Sequence, residues 1–135
     1  MRIAYLSCDE VNTALGEPMA RRHGITLDVL LPRGGPPNGE HDAVLYDWDH
    51  WPCEERAQAV AELLARPPRR PMALHSYNVE PEQAEALRAI GVVVHSRLSG
   101  ALFQHLRQAI LAARVAGRTG SGQTASRCAS EPGAA

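Results

Sequence analysis

Ala43-Val44-Leu45-Tyr46-Asp47-Trp48-Asp49 is a short apolar run that ends on acids, and it decides how the rest of the chain reads. Its Val, Leu and Tyr favour a buried strand over Ala43–Asp47. Two further runs repeat the pattern. Ile3-Ala4-Tyr5-Leu6 leads into Ser7-Cys8-Asp9-Glu10, and Met72-Ala73-Leu74 leads into His75-Ser76-Tyr77. Open α/β sheets bind ligands where the carboxyl ends of parallel strands meet. Acids closing two strands and a hydroxyl closing a third therefore point to a shared site.

Working outward, helices fill most of the intervals. Gly16 and Pro18 interrupt the stretch after Glu10, so the spacing predicts a loop to about Gly16 and a short helix from Pro18, stopped at Gly24. Thr26–Leu31 reads as the second strand. Residues 32–42, with three prolines and three glycines, read as a loop where a crossover helix is expected. Pro52 and Glu54-Glu55 open a helix to about Ala65, with Val60, Leu63 and Leu64 on one face. The arginine–proline run Arg66-Pro67-Pro68-Arg69-Arg70-Pro71 ends it, as a solvated loop or a small patch for docking an anionic group.

The fourth strand is Met72–Ser76. A helix runs from Pro81 to Ile90, closed by Gly91, and Val92–His95 is the fifth strand. Ser99 is placed to cap the last helix, whose apolar side holds Leu102, Phe103, Leu106, Ile110 and Leu111. Alternating strands and helices imply one doubly wound α/β domain with a parallel sheet, over residues 1–116. Residues 117–135 turn to Gly, Ser, Thr and Ala and read as a disordered tail.

Composition narrows the function. With 135 residues, 44% of them hydrophobic, the chain is long enough for a single core. A net charge of −1 and no basic stripe exclude a nucleic-acid partner on electrostatic grounds. The apolar runs are too short for a membrane span, no secretory leader is evident, and Cys8, Cys53 and Cys128 lack metal-pair spacing. A soluble cytoplasmic setting is the expectation. Neither a phosphate loop nor a nucleophile elbow is present.

The chemistry then rests on the strand ends. Magnesium takes oxygen ligands and keeps several waters, so Asp9, Glu10 and Asp47 suffice for weak, exchangeable binding. One carboxylate beside the metal, Asp47, can act as nucleophile toward a phosphoryl group, with Ser76 as a hydroxyl donor. His95, closing the fifth strand, stands where a cation would complete the site. The plainer reading has Asp9 and Asp49 capping the segments that follow them and Ser76 satisfying a turn.

Over residues 1–116 the chain resembles a response-regulator receiver domain. Asp9-Glu10 matches the family's metal-binding acidic pair, Asp47 its phosphoacceptor, and Ser76 its conserved Thr/Ser. His95 takes the place of an invariant lysine. The resemblance implies a flavodoxin-like fold with strand order 2-1-3-4-5. It also implies phosphate taken from a histidine kinase or phosphotransfer protein, and output to a downstream protein partner through the last two helices and the fifth strand. The departures are an atypical or pseudo-receiver's: His95-Ser96 for Lys-Pro, Val92 for the switch aromatic, Pro52 one residue late so that Asp49 rivals Asp47, and the 32–42 loop for the second helix. Two alternatives stand beside it. One is a phosphorylation-independent interaction module. The other is a transition-metal site built from His50, His75 and His95 with Asp47 or Asp49.

Overall fold

A computed structural model describes residues 1–31, 40–50 and 53–134, the side chains of 53–55 and 118–134 excepted. Five parallel strands form one sheet in the order β2-β1-β3-β4-β5: β1 Arg2–Leu6, β2 Thr26–Leu30, β3 Ala43–Asp47, β4 Met72–His75 and β5 Val93–His95. The helices are α1 Glu10–Arg22, α2 Cys53–Ala65, α3 Pro81–Ala89 and α4 Gly100–Ala134, and a 3-10 turn spans Trp48–His50. This is the doubly wound parallel domain that the strand pattern predicts, in the flavodoxin-like order that the receiver resemblance implies.

Strand alternation splits the core into two layers. Ile3, Tyr5, Leu27, Leu45 and Ala73 face α1 and α4, where Ala20, Leu102, Phe103, Leu106 and Ile110 complete a buried cluster. Met72, Leu74, Val92 and Val94 face α2 and α3, against Val60, Ala84, Leu87 and Trp48. Leu64 does not join that face and is exposed, as is Leu111 on α4.

The first helix corrects the expectation of a loop to Gly16. Asp9 has extended backbone and accepts a hydrogen bond from the Asn12 N–H, so the helix starts at Glu10. Pro18 lies inside it and is exposed, as is Ala14 one turn back, so the carbonyl that loses its partner faces water. Gly16 is buried against the sheet. A Cβ there would come within 3.2 Å of Leu27 Cδ2 and 3.7 Å of the Tyr5 ring, and its absence lets α1 lie close. Gly24, at φ +71°, ends the helix in the left-handed region.

Ser99 caps α4, its hydroxyl accepting from the Leu102 N–H. Helical backbone continues past Gly117 to Ala134, and the packing of the expected tail, 117–135, lies outside the described side chains. Most of the loop 32–42, Trp51 and Pro52 also lie outside the described residues. No helix among those described is long and apolar enough to cross a membrane.

Candidate functional site

Parallel pairing brings the ends of β1, β3 and β4 to one edge. Asp47 pairs in register with His75, and His75 with His95, so the three stand in one row across β3, β4 and β5. Ser7 follows β1 directly, on the same face as Tyr5. Asp47 closes β3 and is 1% exposed. Three donors converge on its Oδ2: the Ser7 hydroxyl at 2.8 Å, the Asn12 side-chain amide at 2.9 Å and His50 Nδ1 at 2.9 Å.

The other face of His50 turns to the second acid. Its Nε2 lies 3.6 Å from Asp9 Oδ1, so one imidazole bridges both carboxylates. Asp9 is tied down further by its own N–H, which donates to Ser7 Oγ at 3.1 Å. Burial pushes the Asp47 carboxyl up, but hydrogen bonds from His50, Asn12 and Ser7 outweigh it and hold it below the usual carboxylate range. The same bond to Asp47 raises His50.

Behind Asp47 lies a buried pair. The Tyr5 hydroxyl donates to His75 Nε2 at 2.7 Å. Burial, followed by the Asp47 charge, pushes Tyr5 well above the usual phenol value, and burial depresses His75. The phenol thus keeps its proton and the imidazole stays neutral. His75 Nε2 is 3.9 Å from Asp47 Oδ1.

The expected site residues divide. Asp9 and Asp47 come together. Glu10 is exposed on the first turn of α1 and stands outside the group formed by Asp9, Asp47 and His50, whose ligand atoms lie within 4.8 Å of one another. Ser76 is buried but donates to Asp49 Oδ1 at 2.5 Å rather than to Asp47. Asp49 also accepts from the Tyr77 N–H at 2.9 Å and the Asn78 amide at 3.3 Å. The rival acid therefore fastens the turn after β4 through its carboxylate, while its carbonyl accepts from Arg56 on α2 at 2.7 Å; whether it caps α2 lies outside the described residues. His95 sits two strands from Asp47, roughly 10 Å across the sheet, with His75 between. Its Nε2 instead meets His105 Nδ1 at 2.9 Å. No side-chain amine stands in for it, because the sequence contains no lysine.

Asp9, Asp47 and His50 offer two carboxylates and an imidazole within 4.8 Å, a mixed set rather than the oxygens and water magnesium prefers, and Asp47 Oδ2 already accepts from three donors. The three-histidine metal reading does not assemble either: His50 alone of the three joins Asp9 and Asp47. Ser7, Asn12 and Tyr5 were not foreseen in the site. The spacing Asp9-x-x-Asn12 was the available signal, since a cap and the third residue of its helix face the same strand end.

No protein-family model matches the chain, and no curated protein does. Solved structures do. A response regulator receiver protein from Burkholderia phymatum is 17% identical, with a TM-score of 0.54, over 82% of this chain and 94% of that one. A two-component response regulator from Clostridium difficile is 14% identical, TM-score 0.53, over 82% and 95%. A fusion protein carrying a yeast trimeric coiled coil is 17% identical, TM-score 0.59, over 89% and 83%. The chain has the fold of receiver domains.

Proposed function

We propose that this chain is a pseudo-receiver: a two-component-type signalling domain that works by protein contact, without taking phosphate. The carrying observation is the state of Asp47. A carboxylate that attacks phosphorus needs a free lone pair and a clear approach. Asp47 is 1% exposed and its Oδ2 accepts three hydrogen bonds. The groups that would steady a transferred phosphoryl group are spent elsewhere, Ser76 on Asp49 and His95 on His105.

In this reading His50 is an internal stand-in for the cation, relieving repulsion between Asp9 and Asp47. Contact surface is supplied at the same edge. Val11, in the first turn of α1, is 65% exposed, and Tyr77, just past β4, is 73% exposed. Large apolar side chains that flank a polar edge suit a protein partner. Intact mass after incubation with a small phosphodonor and magnesium tests the reading. Wild type is expected to gain no phosphoryl group. An adduct present in wild type and missing in Asp47→Asn would overturn the reading and establish a working phosphoacceptor.

A further inference from the structure

The end of β5 carries a histidine pair that the Asp47 pocket does not use. His95 closes β5, and His105 lies in the second turn of α4, which packs beside that strand. His95 Nε2 and His105 Nδ1 stand 2.9 Å apart, so the two nitrogens share one proton, one donating and the other accepting. Their rings are tilted by 49°, with centroids 5.0 Å apart. His105 is exposed and His95 half-buried, so the pair is open to water. Both carriers are fixed. His95 is held in register with His75 on β4, and the buried Leu102, Phe103 and Leu106 seat the turn that carries His105. His75 itself turns to Tyr5 and takes no part.

From this geometry we propose that His95 and His105 chelate a divalent ion of the square or tetragonal type, copper(II) or nickel(II). An imidazole nitrogen sits about 2.05 Å from zinc and from ions of its size, so two nitrogens 2.9 Å apart subtend about 90°. That is the angle between neighbouring ligands around copper(II) and nickel(II), whereas a tetrahedral ion would open the pair to about 3.3 Å. Each neutral imidazole offers one lone pair to the ion and keeps its proton on the other ring nitrogen. Burial, then the charges of His105 and Arg88, lowers His95 and favours that neutral form. Arg88, tied to the Val94 carbonyl at 2.9 Å, opposes the ion and limits its affinity. No third histidine, cysteine or acid joins the pair among the described residues, so the remaining positions fall to water.

Calorimetric titration of the full chain with nickel(II), which leaves the exposed Cys8 thiol reduced, tests the assignment. One saturable site is expected, and the paramagnetic ion should broaden the ring signals of His95 and His105 first by NMR. His95→Gln and His105→Gln should each weaken binding at least about tenfold, since each removes one of two protein ligands. His23→Gln, past the end of α1, should leave it unchanged. Thermal unfolding without metal confirms that each variant is folded. Nickel should raise the unfolding midpoint of wild type more than that of either glutamine variant, because the ion ties β5 to α4. Broadening led by His50 would place the ion between Asp9 and Asp47 and overturn the proposal. So would the absence of saturable heat, full affinity in either variant, or equal weakening by His23→Gln.

Discussion

The two ends of the sheet are both polar, yet they are finished in opposite ways. At the carboxyl edge every donor around Asp47 is answered from inside: Ser7, Asn12 and His50 on one oxygen, Tyr5 on His75. At the amino end the contacts are spread over the surface instead: Arg70 reaches the His41 carbonyl, Arg114 reaches Asp42, and His41 Nε2 meets Asp28. A polar cluster that satisfies itself holds a fold together. One spread over an exposed surface shares each pair with water and holds less.

The largest expected effect tests the closed end. Asp47→Ala strands three donors in a buried site and should cost about 3 kcal/mol in urea unfolding. A neutral or stabilising result would mean that Asp47 is kept for chemistry, and the contrast between the two ends would collapse. Tyr5→Phe removes the donor to a buried imidazole and should cost about 1–2 kcal/mol, with His75 Nε2 left unanswered. Unchanged stability would show that water replaces the hydroxyl and that the pocket is less closed than drawn.

A subtler effect is in pH. His50 is raised in the fold, so its contribution is complete below its ordinary 6.5 and fades as pH rises through the raised value. His75 is depressed, so below 6.5 the unfolded chain takes up a proton that the folded imidazole refuses, and stability falls as pH drops. Unfolding measured from roughly pH 5 to pH 8 should therefore show decline on both sides. His50→Gln should abolish the alkaline decline and leave the acid one. If both imidazoles titrate near 6.5 by NMR, neither interaction forms as described. The smallest effect belongs to the open end: Arg69→Ala should change stability by less than about 0.5 kcal/mol. A larger loss would make that cluster structural too.

Much of this was legible in the chain because parallel strands buried on both faces announce themselves. The runs at Ile3, Ala43 and Met72 are apolar, short and punctuated by polar residues, and their ends fall within a residue of expectation. The start of α1 was not legible. Pro18 argues against a helix locally, and only burial shows that its face of the helix is wet. In the site, Asp9 and Asp47 were legible as strand-ending acids. Which hydroxyl and which histidine reach them was not, because that depends on rotamers and on row spacing across the sheet. Ser76 and Ser7 look alike in sequence, yet one turns to Asp49 and the other to Asp47. His95 occupies the expected register, but an imidazole is too short to cross a strand that already carries His75.

Helix α1 is joined to this edge twice. Asn12 donates its backbone N–H to the Asp9 cap and its side-chain amide to Asp47. One turn later Gly16 seats the helix beside the ring of Tyr5, whose hydroxyl reaches His75. The helix therefore has no rigid-body displacement that spares both attachments. Lifting its first turn withdraws an amide from the aspartate, and lifting the next loosens the tyrosine. Mechanically, α1 and the pocket form a single linkage, so a load applied to the outer face of the helix is delivered to the hydrogen bonds of a buried carboxylate about two turns away.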